Sequence, residues 1–154
     1  MSFTIKKLEK SERSRDRVEQ ILWTLDSDYV PPLSAHLDIS LYAVKLINYA
    51  AVFMVEMDSL DAGILAIYAN DIRELRAFIT TIGVCQSARG HGIAGGLIDA
   101  ATTYAREVGM LRVGLEVSRL NAPAIKLYRK FGFQESQSDM PRTYSSSVIM
   151  EKSL

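Results

Sequence analysis

The chain has 154 residues and a mass of 17.2 kDa, with an apolar fraction of 48% and a charged fraction of 23%. That is the make-up of an ordinary globule long enough to bury its own core, so a single domain over residues 1–154 is expected. Eighteen basic and eighteen acidic residues cancel, which gives no electrostatic support for a nucleic-acid partner, and no apolar run approaches the ~20 residues of a membrane span.

The amino-terminal stretch MSFTIKKLEKSERSRDR has no apolar signal core, so a cytoplasmic protein with no membrane partner is expected, as a monomer or homodimer. Phe3 to Leu8 alternates weakly and predicts an edge strand. Ser11 is placed to cap a helix whose apolar stripe is Val18, Ile21, Leu22 and Leu25. The segment Asp26, Ser27, Asp28, Tyr29, Pro31, Pro32 predicts a loop, since the prolines cannot continue a helix. Asp38 then caps a second helix with Ile39, Tyr42, Leu46 and Tyr49 on its apolar side.

Three apolar runs joined by short turns follow: AAVFMVEM, GILAIYA after a turn at 58–63, and the run from Leu75 to Cys85 after a turn at 70–74. They predict an antiparallel meander. Next comes QSARGHGIAGGL, residues 86–97, and then Ile93, Leu97, Ala101, Tyr104 and Val108 at helical spacing, closed by Gly109. MLRVGLEV predicts a strand and completes a βαβ-like unit. Asn121 caps a short helix with Ile125, Leu127, Tyr128 and Phe131, closed by Gly132, and the segment from Thr143 to Glu151 predicts a last strand. Cys85 is the lone cysteine. It cannot form an internal disulfide, which fits a reducing compartment. Neither His36 nor His91 stands at a recognised spacing from it, so it is read as a structural thiol rather than a nucleophile. No metal site is expected.

Strand, glycine turn and helix present unpaired backbone N–H groups to an anion, assisted by the positive end of the helix dipole. Gly90 and Gly92 let the main chain approach a phosphate, and Arg89 and His91 place positive charge beside it. A P-loop is excluded, because Ile93 and Ala94 stand where Lys and Ser or Thr are required. Gly90, Gly92 and Gly95 satisfy G-x-G-x-x-G, but the only acidic residues near the required distance are Glu107, inside the helix, and Glu116. A glycine-rich connection with no ligand remains the plain alternative for this motif alone.

The better fit is R-x-x-G-x-A, Arg89 through Gly92 to Ala94, together with LEVSRLNAPAIKLYRKFGF, residues 115–133. The two segments resemble the GNAT superfamily of acetyl-CoA-dependent N-acyltransferases. Asn121, Ala124, Ile125, Leu127, Tyr128, Lys130, Gly132 and Phe133 match its second motif. One departure is Cys85-Gln86, where many members carry a proline. The resemblance implies an α+β fold, with a mixed, mostly antiparallel central sheet flanked by helices and strands splayed at a CoA slot.

For the site, the resemblance implies that the backbone of Ile82, Gly83 and Val84 holds the pantetheine arm, with Gly83 permitting close approach or a bulge. The diphosphate would sit at Arg89, Gly90, His91, Gly92, Ile93 and Ala94, with Asn121 and Tyr128 also contacting CoA. Tyr128 would be the acid for the leaving thiolate. Glu116 would be the base for the attacking amine, its alternative being a carboxylate satisfied by nearby N–H groups. The acceptor would meet Asp28, Tyr29, Tyr68 and Asp71, each of which is equally a turn, cap or strand-end residue. The expected activity is acetyl transfer from acetyl-CoA to the primary amine of a small metabolite or amino sugar, by direct attack in a ternary complex. The alternatives are a protein or peptide N-terminal acetyltransferase and a non-catalytic acyl-CoA-binding module.

Overall fold

The structure is a computed structural model that describes residues 2–137, 140–143 and 145–154. Among the described residues, seven strands form one sheet in the order β1-β2-β3-β4-β5-β7-β6: β1 (Thr4–Lys7), β2 (Ala51–Met57), β3 (Leu60–Tyr68), β4 (Arg76–Val84), β5 (Arg112–Ser118), β6 (Gln134–Glu135) and β7 (Ser147–Ser153). β2, β3 and β4 are antiparallel neighbours, as the meander predicts, and β1 pairs antiparallel with β2 at the edge. β4 and β5 are parallel, joined by the crossover helix α3 (Ile93–Glu107). The two-residue β6, absent from the sequence reading, pairs with β7. The turn before β3 is also tighter than expected. Asp58 and Ser59 adopt φ 52° and 64° and reverse the chain, so β3 begins at Leu60.

Strand alternation gives the sheet two covered faces. On one, α3 and α4 (Ala122–Lys130) flank a core that includes Phe53, Val55, Leu65, Ile67, Ile79, Leu97, Leu115 and Phe133. On the other, α1 (Glu12–Leu25) and α2 (Ile39–Tyr49) cover Val52, Met54, Ile64 and Ala66. Ser11 and Asp38 cap these two helices as expected, accepting from the N–H groups of Ser14 and Leu41. Arg17 fastens α1 to the β2–β3 hairpin through a two-pronged pair with Asp61, at 2.6 and 3.0 Å. Two residues of the predicted apolar stripes lie outside the core. Tyr49 and Val108 end their helices and are 65% and 45% exposed.

Candidate active site

The slot begins with a register change. Ala66 faces Thr81 and Ile67 faces Ile79, so Thr80 is an extra residue in β4. A bulge of this kind sharpens the local twist and bends the strand that carries it. β4 pairs with β5 only from Arg76 to Ile79, opposite Arg112 to Leu115, although β4 runs on to Val84 and β5 to Ser118. The strands therefore part at the bulge, giving the splay that the resemblance implies. The bulge lies at Thr80 and not at Gly83.

Gly83 has a different reason for being glycine. A Cβ there would lie 2.7 Å from both Leu25 Cδ1 and the Tyr29 hydroxyl, so its bareness admits the end of α1 and the loop after it. The Tyr29 hydroxyl donates to the Ile82 carbonyl at 3.0 Å. Arg89 Nε donates to the Val84 carbonyl at 3.2 Å, and its Nη2 lies 3.0 Å from Asp28 Oδ2. Two of the expected acceptor residues, Asp28 and Tyr29, thus serve the donor-strand edge in this structure. The α1–α2 loop shields carbonyls that a splayed strand would otherwise expose.

Past β4 the chain makes a 3-10 turn over Gln86–Ala88 and enters α3 through Gly90 and Gly92, at φ 87° and 76°. A Cβ at either would meet no protein atom within 4 Å. Within the protein these glycines are required by the left-handed backbone, which L side chains adopt at a cost. Gly92 is the N-cap and provides no side-chain cap. The first helix-closing bond runs from Gly96 N–H to the Gly92 carbonyl at 3.1 Å. The N–H groups of Ile93, Ala94 and Gly95 therefore have no protein acceptor among the described residues. The Ile93 side chain is buried, so only its backbone faces a ligand, whereas His91 is exposed. Gly95 serves packing, since a Cβ there would fall 2.5 Å from Phe131 Cζ.

Asn121 caps α4, its Oδ1 accepting from Ala124 N–H at 3.2 Å. Two turns past the cap, Tyr128 is buried, edge-on to Phe133 with centroids 5.9 Å apart. Burial pushes its pKa up to about 12. Tyr29 is driven up further, by burial first and then by the neighbouring phenols Tyr42 and Tyr128. Tyr42, which the sequence places in the apolar stripe of α2, also reaches the β4 bulge. Its hydroxyl lies 2.6 and 3.0 Å from the hydroxyls of Thr81 and Thr80. The consecutive threonines inside an apolar strand were the available signal.

Glu116 lies on the face opposite Leu115 and Val117, and so on the α1–α2 side of the sheet. Its Oε2 accepts from Thr143 N–H at 2.7 Å and from the Ser147 hydroxyl. Tyr68 also faces this side, beneath the Lys45 ammonium 5.9 Å from its ring centre, and burial raises its pKa to about 12. Asp71 belongs to the β3–β4 turn. Its carboxylate accepts from the N–H groups of Glu74 and Arg73 at 3.0 and 3.1 Å, and these bonds hold its pKa low, Glu74 first. It is a turn residue here, engaged with its own backbone. Cys85 is half-buried against the α1–α2 core, and burial raises its pKa, which suits a structural thiol. Among the described residues no cluster of three metal-ligating side chains occurs, and no helix is long and apolar enough to cross a membrane.

A sheet opened between parallel strands, next to a helix N-terminus whose first N–H groups are unpaired, can hold a long ligand with an anionic group at one end. Residues 17–133 match the acetyltransferase (GNAT) family, and the chain belongs to that family. Over 58 residues, 38% of this chain, it is 45% identical to streptothricin acetyltransferase of Streptomyces lavendulae, covering 31% of that protein's length. Over its full length it superposes on Ard1 from Thermoplasma volcanium with a TM-score of 0.79 at 22% identity, covering 99% of that chain. It also superposes on the PaiA N-acetyltransferase of Thermoplasma acidophilum, in complex with coenzyme A, with a TM-score of 0.74 at 20% identity and complete coverage of both chains.

Proposed function

We propose that the protein transfers the acetyl group of acetyl-CoA to the primary amine of a small metabolite or amino sugar, by direct attack in a ternary complex. The observation that carries this is the parting of β4 from β5 at Thr80, directly upstream of the unpaired N–H groups of α3. The N–H groups of Gly92 to Gly95 bind the diphosphate, and the thioester lies between the parted strands. The streptothricin relative, matched over part of its length, lends support to a small acceptor.

Glu116, oriented by Thr143 and Ser147, takes the proton released as the amine nitrogen bonds to the thioester carbon, directly or through a water. As the carbon–sulfur bond breaks, Tyr128 faces the departing sulfur. With its pKa at about 12 the phenol is a weaker acid than a thiol, near ~8.5. It therefore stabilises the thiolate by donating a hydrogen bond, and the thiolate takes its proton from solvent. The test is a panel of small amines, amino sugars and amino-terminal peptides assayed for free CoA. Release above hydrolysis with the small amines is expected. Release with peptides alone would make the protein an N-terminal acetyltransferase, and acetyl-CoA binding with no release would make it an acyl-CoA-binding module.

A further inference from the structure

The edge of β4 that faces away from β3 carries carbonyls that are already taken. Cys85 N–H donates to the Ala62 carbonyl at 2.8 Å, and the register sets Gly63 opposite Val84, Ile64 opposite Gly83 and Leu65 opposite Ile82. Hydrogen-bonded and non-hydrogen-bonded pairs alternate along an antiparallel ladder. Gly83 and Cys85 therefore turn their polar groups to β3, and Ile82 and Val84 turn theirs to the other side, beyond the last pair with β5 at Ile79. Each of these two carbonyls accepts from a side chain. The Tyr29 hydroxyl donates to Ile82 at 3.0 Å, and Arg89 Nε donates to Val84 at 3.2 Å. Arg89 is tied in turn to Asp28, the neighbour of Tyr29, at 3.0 Å.

The Ile82 carbonyl points between the parted strands, so its donor stands there too. Tyr29 comes from the α1–α2 face and Tyr128 from the opposite one, yet the two phenols lie near enough to interact. The segment bearing Asp28 and Tyr29 is closed on itself. Asp26 accepts from the Ser34 N–H at 2.8 Å and from the Ser34 hydroxyl. A loop clipped at its ends keeps its shape when it moves, so it can leave β4 without unfolding. Carbonyls on an open strand edge take an extended ligand with amide N–H groups as they would an added strand. The pantetheine arm of acetyl-CoA is such a chain. A carbonyl oxygen can accept two bonds, but the Tyr29 hydroxyl and the Arg89 guanidinium stand where a chain laid along this edge must pass.

We propose that Tyr29, together with the Asp28–Arg89 pair, is a latch on the edge of β4, and that the pantetheine amides displace it from the Ile82 and Val84 carbonyls when acetyl-CoA binds. It rests on the donor-binding reading above and adds a competitor for the same carbonyls. The test is calorimetry on the full chain with acetyl-CoA and with ADP, which has the diphosphate but no amide chain. Tyr29→Phe keeps the ring and removes the competing hydroxyl. It should bind acetyl-CoA roughly three- to tenfold more tightly, with the affinity for ADP unchanged. Its melting temperature should fall below that of wild type without acetyl-CoA and equal it at saturation, because the amide chain then supplies the partner that the Ile82 carbonyl has lost. Acetyl-CoA affinity that is equal or weaker in Tyr29→Phe would overturn the latch, and so would an equal tightening of ADP. Tighter acetyl-CoA binding in Tyr29→Phe, with no CoA release from any amine, would sink the transfer reading and uphold the latch.

Discussion

The proposed donor side comes from one unbroken stretch, β4 through α4, whereas the proposed acceptor side gathers Tyr68 and Glu116, with Thr143 and Ser147 on the Glu116 carboxylate, from segments far apart in the chain. On the donor side the groups we propose are mostly backbone: the N–H groups at the start of α3 and the edge of β4. Their geometry is fixed by positive-φ glycines and a bulge, and most side-chain changes would leave it intact. On the proposed acceptor side they are side chains. Any of them can change without moving a strand. A fold of this kind can keep its donor and change its acceptor, because the two demands fall on different atoms.

The largest expected effect concerns a donor-side role that does depend on a side chain. Tyr128→Phe should lower turnover by about 10²–10³-fold, the usual loss for one hydrogen-bond donor to a developing charge, while acetyl-CoA affinity changes little. Calorimetry beside steady-state kinetics separates the two, and an unchanged turnover number would remove Tyr128 from the chemistry. The same burial has a stability consequence. Tyr128 has a folded pKa of about 12 against ~10 when unfolded, so its stabilising contribution is complete below pH 10. It is lost as pH rises from 10 to 12, because the unfolded phenol ionises first. Denaturation at graded alkaline pH should show a fall on the order of 2–3 kcal/mol across that window, reduced in Tyr128→Phe.

Gly92→Val tests the backbone basis of the donor side. A β-branched residue at φ 76° should cost about 1–2 kcal/mol of stability and, by crowding the diphosphate, at least about tenfold in acetyl-CoA affinity. Unaltered affinity would count against the cradle. The smallest effect belongs to the loop that touches both sides. Asp28→Asn breaks a half-exposed ion pair with Arg89, worth under about 1 kcal/mol. Freed from Asp28, Arg89 should bind the diphosphate a few-fold more tightly, with a steeper loss of affinity on adding salt. A weaker affinity would show that Asp28 positions Arg89 instead of competing for it.

Much of the fold was legible without coordinates because its signals are local. Ser11, Asp38 and Asn121 each cap the helix that follows. Gly90, Gly92, Gly109 and Gly132 mark turns with φ above zero, and the meander and crossover follow from run lengths and turn spacing. Tyr128 and the α3 turn were legible in the same way, each inside a contiguous motif. What sequence left undecided depends on partners remote in the chain. Thr80 is a bulge only because Ala66 and Ile67 face its neighbours, and Gly83 is bare because Leu25 and Tyr29 arrive there. Arg89 is drawn to Asp28, 61 residues away, and Tyr29 to the Ile82 carbonyl, 53 residues away. The chain's own periodicity and caps determined which segments become helix or strand, since those preferences act within a turn or two of backbone. Which side chains meet was decided by the tertiary structure alone, because a one-residue change of register sends every following side chain to the other face.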